Sequence, residues 1–573
     1  MIQVPDPEIK AVKPGESVEI HLPDGRVLRG PRGLAVERFL TTLPEADNPP
    51  IVGAVVNGDL RELTYPIKME ATVRPVTMGE ADGMLIYRRS LVFLMEAAFD
   101  RCFPGAVLTV DHSVSSGGYF CQVSGRDPLN DAEIAYLEAA MRQLVEDDLP
   151  FDRHETPLAE AIEYFRSTGK DEKVSLLQHR TKDYLTLYQL LEYRDYHHGY
   201  MVPRTGYLRW FQLTLIGSGF TLRFPRRHAP TRLLPMPEYP KLLAAFRRYG
   251  DWLDRLGIAN VAALDQAIRT GRGDEVILVS EALHEQHVTE IARQIANRAE
   301  QVRLVLIAGP SSSGKTTFSK RLAVQLLASG ISPFPLAMDD YFIDRDNTPL
   351  GEDGKPDFEA ISALNRLQLD VDLQALITGQ KVILPRYDFI SGKSLVGEEI
   401  QLRPGELIIM EGIHGLNPQL LSQFPAEQTF RIYASALTQL NLDRHNRIST
   451  TDTRLLRRIV RDARERGYSA THTIQRWESV RRGEKRYIFP YQENADVMFN
   501  SALVYELAAL KPLAEPLLRQ VPFNTPEHIE AKRLLALLEW FLPLDPGQVP
   551  DNSILREFLG SSILKNFTLW HNR

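Results

Sequence analysis

The stretch "AGPSSSGKTTFSK" at residues 308–320 is the part of the chain whose residue types and spacing most clearly indicate chemistry. Its glycines let main-chain N–H groups turn toward phosphate oxygens, the lysine can neutralise the β- and γ-phosphates, and the first threonine can ligate Mg²⁺. An apolar run precedes the stretch and an amphipathic pattern follows it, which predicts a strand, a phosphate-binding loop (P-loop) and a helix aimed at the anion. The predicted ATP-binding residues are Gly309, Pro310, Ser311, Ser312, Ser313, Gly314, Lys315, Thr316 and Thr317.

Acidic residues follow two further predicted strands. "PFPLAMDDYF" places Asp339 and Asp340 at a strand end, and "ELIIMEGI" places Glu411 at another. A kinase needs an acceptor for the proton of the attacking hydroxyl, and Asp339 can take that role. Glu411 can bind Mg²⁺ together with Thr316. A solvated acidic turn and a helix-capping acid are the simpler alternatives for these two motifs.

Arginines dominate the segment "DTRLLRRIVRDARERGYS". On a helix they form two rows with i, i+4, i+7 spacing: Arg454, Arg458 and Arg461, then Arg457, Arg461 and Arg464. Several guanidinium groups on one helix could close as a lid over transferring phosphates. The alternatives are a solvated face paired with Asp462 and Glu465, or a nucleic-acid surface, although aromatic residues do not interleave the arginines.

Length and composition indicate a soluble chain of several domains. The 573 residues are 43% hydrophobic and 25% charged, with a formal net charge of −7, which argues against wholesale nucleic-acid coating. The two cysteines, Cys102 and Cys121, have no CxxC spacing, so we expect neither a zinc framework nor disulfides, and a reducing cytosol. We also expect no secretion signal and no membrane segment, because no apolar run approaches about 18–20 residues.

The order of patterns divides the chain into five parts. Residues 1–70 alternate β-like runs with hairpin turns and predict a β-grasp domain. Residues 71–225 predict an α+β domain, and residues 226–295 a helical connector. Residues 296–510 alternate apolar runs with helical patterns, which predicts a parallel sheet with helices on both faces. Residues 511–573 predict a helical extension. The predicted fold class is multidomain, α/β and α+β.

Residues 302–505 resemble the uridine kinase branch of the phosphoribulokinase/uridine kinase family. The resemblance rests on "GPSSSGKTT", "MDDYF", "PDFEAI", "LPRYDF", "EGI", "RRIVRDARERG" and "NADVMFNS", which occur in the family's order. It implies Mg²⁺-dependent transfer of the ATP γ-phosphoryl group to a nucleoside 5′-hydroxyl. By position it implies the catalytic residues Asp339, Lys315, Arg461 and Arg466. The implied substrate-binding residues are Asp339, Asp340, Tyr341, Glu359, Tyr387, Arg458 and Arg466, with Glu359 on the ribose and Tyr387 on the base.

Two positions depart from that family. Gly392 stands where uridine kinases carry a histidine, and Tyr468 where they carry a further arginine. Both family residues contact the nucleoside, so we expect altered or relaxed base choice. Arg386 and Lys393 flank the same loop, which leaves a sugar-phosphate kinase open as an alternative. A third alternative is an RNA-binding regulatory protein that uses ATP as a switch.

Residues 1–225 resemble the two amino-terminal domains of threonyl-tRNA synthetase. "AVVNGDLRELTYPI" is similar to its TGS domain, and "ADGMLIYRRSLVFLMEAAF" with "LLEYRDYHHGYMVP" to its editing domain. The editing family's ligand positions hold Arg89, Phe93, His197 and Met201 here, so we expect neither zinc nor hydrolysis. The domain order is that of bacterial fused uridine kinase-like proteins. It leaves tRNA, without editing, and a homo-oligomer as candidate partners beside ATP and the nucleoside.

Overall fold

The computed structural model describes residues 15–44, 49–114, 117–351, 354, 356–388, 391–421 and 424–567. Two predicted features, the first 14 residues of the β-grasp domain and the end of the "YDF" motif at 389, lie outside the described residues. No helix within those ranges is both long and apolar enough to cross a bilayer.

The first domain is a five-stranded mixed sheet crossed by one short helix. Its elements are β1 Ser17–His21, β2 Val27–Pro31, α1 Val36–Leu40, β3 Ile51–Val56, β4 Asp59–Arg61 and β5 Ala71–Thr77. The strand order is β2-β1-β5-β3-β4, with β1 and β5 parallel. The sequence places the end of this domain at residue 70, but β5 completes its sheet, because Ala71 and Val73 are buried in the core beside Ile20 and Phe39.

The second domain packs a long buried helix against two antiparallel sheets. Its elements are α2 Ala81–Cys102, β6 Val107–Val114, β7 Gly118–Ser124, α3 Asp131–Glu146, β8 Asp152–Pro157, α4 Leu158–Ser167, α5 Asp171–Leu177, β9 Tyr184–Leu190, β10 Tyr193–Asp195, β11 Gln212–Ile216 and β12 Gly219–Arg223. The sheets have the orders β11-β12-β7-β6 and β10-β9-β8. α3 begins at a capping box of Asn130 and Glu133, which satisfies two free amides.

Three helices connect this domain to the P-loop domain: α6 Pro240–Leu256, α7 Val261–Arg269 and α8 Gly273–Ala296. They are not a loose linker. One apolar core includes Phe165 of the second domain, Leu253 and Val261 of the connector, and Leu456 and Phe558 further along the chain. The connector therefore joins the domains through shared burial.

The P-loop domain is built on a five-stranded parallel sheet with the order β14-β17-β13-β18-β19. Its elements are β13 Leu304–Ala308, α9 Lys315–Ala328, β14 Pro333–Ala337, α10 Arg366–Ile377, β15 Val382–Asp388, β16 Lys393–Ile400, β17 Leu407–Glu411, β18 Thr429–Ser435, α11 Thr450–Arg466, α12 Ala470–Tyr487 and β19 Val497–Asn500. Separate apolar clusters cover the two sheet faces, one with α8 and α9 and one with α10. The predicted doubly covered parallel sheet is confirmed.

The carboxyl-terminal helices α13 Glu506–Arg519, α14 Pro526–Leu538 and α15 Arg556–Leu559 pack onto the P-loop domain. Ile554, Leu555 and Phe558 are fully buried. Apolar residues of α13 and α14 share the core that contains α11. The extension is therefore an integral layer of that domain.

Candidate kinase site

The P-loop turns sharply between β13 and α9. Ser312 and Gly314 have φ of +57° and +82°, and a Cβ on Gly309 would lie 1.9 Å from the carbonyl oxygen of Ala434. The Lys315 Nζ donates to the carbonyl oxygens of Gly309 (2.9 Å) and Pro310 (3.1 Å). The predicted ATP-binding residues thus form one loop at a helix N-terminus, which is a general anion-binding arrangement. Their contact with ATP stays a prediction.

Thr316 and Glu411 meet beside this loop. The Thr316 hydroxyl donates to Glu411 Oε1 at 3.0 Å, because β13 and β17 are adjacent and Ile307 is in register with Glu411. Burial raises the pKa of Glu411 to about 7, and nearby Lys315 opposes that rise. Among the described residues, its Oε2 is buried without a hydrogen-bond partner. The pair fits Mg²⁺, since a hard cation takes oxygen ligands and would supply the missing partner.

Asp339 and Asp340 follow β14 at the same edge of the sheet, because Ala337 is in register with Glu411. Asp339 is solvent-exposed, yet desolvation by surrounding protein raises the pKa of its carboxyl, opposed by Lys315. Asp340 Oδ1 accepts the backbone N–H of Tyr387 at 3.2 Å and so holds β15.

The two aromatic residues predicted to contact the substrate, Tyr341 and Tyr387, are buried in the P-loop domain. Tyr341 is buried, and its hydroxyl donates to Asp372 Oδ2 at 3.0 Å, so it packs in the core instead of lining the cleft. Tyr387 is also buried, with its ring centroid 5.6 Å from that of Phe342.

Glu359 reaches the cleft from the loop before α10. It packs against α12, where a Cβ on Gly483 would lie 2.7 Å from the Glu359 Cβ. Burial raises the pKa of Glu359 to about 7, and Glu484 and Asp339 add to the rise, whereas Arg458 opposes it. The interaction with Asp339 places both acids on one cleft.

Helix α11 is packed, not solvated. Arg454 and Arg457 are fully buried. Arg454 forms a bidentate pair with Glu484, with both N–O distances at 2.7 Å, and Arg457 Nε donates to Glu506 at 2.6 Å. These two arginines therefore fix the helix in place and are not available as a lid.

Arg457 also donates to the P-loop, to the Ser312 carbonyl oxygen at 3.4 Å, whereas the other arginines of the predicted lid have separate partners. Arg458 Nη1 donates to the Ser311 hydroxyl at 2.9 Å. Arg461 and Arg466 pair with Asp462 at 2.8 and 3.4 Å. The structure thus brings Arg458 to the phosphate loop and holds the other two on a neighbouring acid.

Two acids that sequence reasoning missed already contact the P-loop. The Ser311 N–H donates to Glu484 Oε1 at 3.1 Å, and the Thr317 N–H and hydroxyl donate to Glu557 Oε2 at 3.1 and 3.0 Å. They lie 173 and 240 residues beyond their partners, so no local motif marks them. With Asp339 and Glu411 they surround Lys315 with negative charge, while burial lowers the pKa of that lysine.

The two departures from the uridine kinase pattern have distinct surroundings. Gly392 has φ +70°, and a Cβ there would lie 2.7 Å from Arg345 Cζ, so the Arg345 guanidinium fills the space beside it. The Arg345 N–H donates to the Gly392 carbonyl oxygen at 2.8 Å. Tyr468 contacts the ring of His472 edge-on at 4.5 Å.

The four editing-type positions lie on α2 and in the segment after β10. Arg89 donates to the Tyr200 carbonyl oxygen at 2.5 Å, while Phe93 and Met201 are buried in the core. His197 Nε2 lies 3.1 Å from Glu96 Oε2. The Phe93 and His197 ring centroids lie 5.6 Å apart, so packing contacts occupy these positions.

A buried cluster next to that histidine joins the second domain to the P-loop domain. Ligand-type atoms of Glu96, Asp195 and His445 lie within 4.8 Å of one another. Lys170 and Lys173 already donate to Asp195 at 3.0 and 2.7 Å. The two lysine side chains therefore balance much of the negative charge of this cluster.

Comparison with known proteins assigns the two halves separately. Residues 304–508 match the family described as "Phosphoribulokinase / Uridine kinase family". This part of the chain is a kinase-type P-loop domain of that family.

The amino-terminal part is homologous to threonine–tRNA ligase. The chain is 27% identical over 204 residues to the enzyme of Desulforamulus reducens, covering 35% of this chain and 32% of that one. It is 29% identical over 203 residues to the enzyme of Desulfosudis oleivorans, covering 35% and 31%. The chain therefore spans about a third of the length of these relatives.

Among solved structures, a possible uridine kinase from Bacillus stearothermophilus is 19% identical, covering 36% of this chain and all of that one, with a TM-score of 0.24. D-glycerate 3-kinase from Cryptococcus neoformans is 17% identical, covering 37% and 88%, with a TM-score of 0.26.

Proposed function

We propose that the chain is a Mg²⁺- and ATP-dependent kinase that transfers the γ-phosphoryl group to the 5′-hydroxyl of a nucleoside. The observation that supports this most is that Asp339 and Glu411 both interact electrostatically with Lys315 of the P-loop. Glu411 ends β17, and Asp339 lies two residues beyond the end of the adjacent parallel strand β14, whose Ala337 is in register with Glu411. That arrangement supplies a phosphate grip, a cation site and a proton acceptor together.

In the proposed reaction the P-loop amides and Lys315 bind the β- and γ-phosphates. Thr316 and Glu411 would hold Mg²⁺, which offsets phosphate charge when bound. Asp339 accepts the proton of the attacking hydroxyl while the new O–P bond forms and the bond from the γ-phosphorus to the leaving ADP oxygen breaks. The raised pKa of Asp339 makes it a stronger proton acceptor. Arg458, at the Ser311 hydroxyl, spreads the transferring charge.

Glu359 supports a sugar-hydroxyl acceptor. It shares the cleft with Asp339, and its carboxyl has no hydrogen-bonding basic side chain among the described residues. A carboxyl so placed can accept hydrogen bonds from vicinal hydroxyls. Loss of the family histidine at Gly392 changes base contacts, so we propose altered or relaxed base preference.

Arg345 favours a second candidate, a kinase of an anionic alcohol such as a sugar phosphate. Its guanidinium fills the space beside Gly392, and Arg386 acts on Asp340 nearby. Arginine suits phosphate and carboxylate recognition through its planar fork of donors.

An acceptor screen with γ-labelled ATP and Mg²⁺ separates the two candidates. It tests uridine, cytidine, adenosine, guanosine, inosine and a set of sugar phosphates on the full chain, with Lys315→Ala as the inactive control. Turnover of a nucleoside supports the first candidate. Turnover confined to sugar phosphates, with a raised KM in Arg345→Gln, supports the second. No turnover with any acceptor would refute both.

A further inference from the structure

A group of basic side chains lies where three elements meet, away from the P-loop. Arg88 comes from α2, Arg226 and Arg227 from the segment after β12, and Arg481 and Lys485 from α12. We call these five residues the basic cluster. Arg232 and His228 stand at its rim, close enough for electrostatic interaction.

The acidic side chains that pair with the basic cluster are fewer than its five cations. Among the described residues, Arg227 pairs with Glu478 and Arg481 with Glu484. Arg88, Arg226 and Lys485 form no ion pair with any of those residues. Arg88 Nε is buried and has no hydrogen-bond partner within the described part of the chain, and its guanidinium lies 4.7 Å from the centre of the Phe224 ring.

Burial and mutual repulsion both lower the pKa values of these cations. Burial is the largest cause that lowers the pKa of Lys485 to about 8, and Arg227, Arg481 and Arg226 lower it further. The same three arginines lower the pKa of Arg88, after burial. A fold that gathers unpaired charge at this cost is characteristic of a ligand site, because a bound anion removes the repulsion.

The basic cluster is separate from the catalytic cleft. Gly483 of α12 packs against Glu359 in the cleft. Lys485 is two residues further, about 200° around the helix, and so points to the other side. The two sites are connected, since Arg481 donates to Glu484 at 2.9 Å and Glu484 accepts the Ser311 N–H.

We propose that the basic cluster binds a compact, phosphate-rich anion, the di- or triphosphate group of a nucleotide, at a second site outside the P-loop. Arg88, Arg226 and Lys485 are all partly buried, so their charges lie among packed elements and are not spread along an exposed surface. A nucleic-acid backbone is instead tracked by an exposed basic stripe. An anion that draws Arg481 would also loosen its bond to Glu484, which links this site to the P-loop.

The first test uses inorganic tripolyphosphate and the full chain carrying Lys315→Ala, which weakens the P-loop's own grip. We expect one binding event, weakened at least tenfold by the added pair Arg226→Gln and Lys485→Gln. The matched control pair, Arg166→Gln and Lys182→Gln, removes two exposed cations of the second domain and should leave affinity unchanged. The cluster variant should fold at least as stably as its parent, because the substitutions relieve repulsion.

A second readout is proton uptake. An anion beside Lys485 raises its pKa from about 8, so binding at pH 8 should take up a proton, seen by calorimetry in two buffers of different ionisation enthalpy. Equal tripolyphosphate affinity in both double variants, or no binding, would overturn the proposal. Bulk tRNA that binds through the same residues while tripolyphosphate does not would identify RNA as the occupant and also overturn it.

Discussion

Carboxyl groups with raised pKa values are the distinctive residues of the cleft. Glu359 and Glu411 each have a pKa of about 7, and burial is the main cause for both. Their like-charged neighbours differ, being chiefly Glu484 for the first and Glu557 for the second. A site that concentrates acids in this way is built to receive cations or hydroxyl donors, at a cost in stability when it is empty.

Because burial of ionised Glu359 destabilises the fold, we expect Glu359→Gln to increase the stability of the protein. The folded pKa lies above the ordinary value of 4.5, so ionised Glu359 destabilises the fold above about pH 7, and the penalty disappears as pH falls toward 4.5. We expect the free energy of unfolding to rise by about 1–3 kcal/mol at pH 8, with little gain at pH 4.5. Denaturant unfolding at both pH values measures this, with Glu427→Gln on an exposed turn as the control. Equal or lower stability at pH 8 would contradict the assignment.

The segment around α15, which contains Ile554 and Glu557, contacts the P-loop directly. The local sequence patterns do not predict this contact. Glu557 accepts two hydrogen bonds from Thr317 on α9, and its carbonyl oxygen accepts Arg464 of α11 at 3.2 Å. Ile554 lies so close that a Cβ on Gly314 would be 2.5 Å from its Cγ2. The segment therefore joins the P-loop helix to the arginine helix.

This contact predicts tighter ATP binding in Glu557→Ala. The carboxylate occupies the Thr317 N–H and hydroxyl, which an ATP phosphate would otherwise use, and it adds negative charge beside Lys315. We expect the ATP Kd to fall about fivefold, the equivalent of about one hydrogen bond. Equilibrium binding of ATP measures this, with Glu465→Ala, an exposed partner of Arg464, as the control. An unchanged or weaker affinity would show that the carboxylate does not compete with phosphate.

Local sequence patterns predict the helices and strands of the cleft, but they do not predict which distant side chains pair with one another there. The strand, loop and helix from Leu304 to Ala328 follow from apolar periodicity and glycine spacing alone. The arginine helix was also predicted, but the burial of Arg454 and Arg457 was not, because Glu484 and Glu506 come from other helices. Long-range pairs of this kind leave no spacing signal.

At the scale of the whole molecule, the second domain and the P-loop domain are joined by direct contacts. The loop before α11 docks on the second domain, where Val110 N–H donates to the Arg444 carbonyl oxygen at 2.8 Å and the Asn441 side chain to that of Asp111 at 3.1 Å. The Tyr196 hydroxyl donates to buried Asp443. Composition and turn patterns indicated separate domains, and only the folded structure shows that they share one core.

The shared core predicts that the kinase half cannot be separated cleanly. A shortened chain that begins at residue 290 loses Phe165, Leu253 and Val261 from the core and uncovers Leu456. We expect it to aggregate or to unfold at lower denaturant concentration, with phosphoryl transfer reduced at least tenfold, since buried apolar side chains contribute about 1.5–3 kcal/mol each. Size-exclusion chromatography and unfolding curves measure this beside the full chain. A shortened chain with full stability and activity would contradict the shared core.

The most direct test of the phosphoryl-transfer mechanism is single-turnover transfer from ATP in Asp339→Asn. We expect the rate with the best acceptor to fall about 10²–10⁴-fold, the range of a lost general base, while the ATP Kd stays within about twofold. Asp274→Asn, on the exposed first turn of α8, is the control and should keep the full rate. Full transfer in Asp339→Asn would contradict the proposed role of this carboxylate and with it the mechanism.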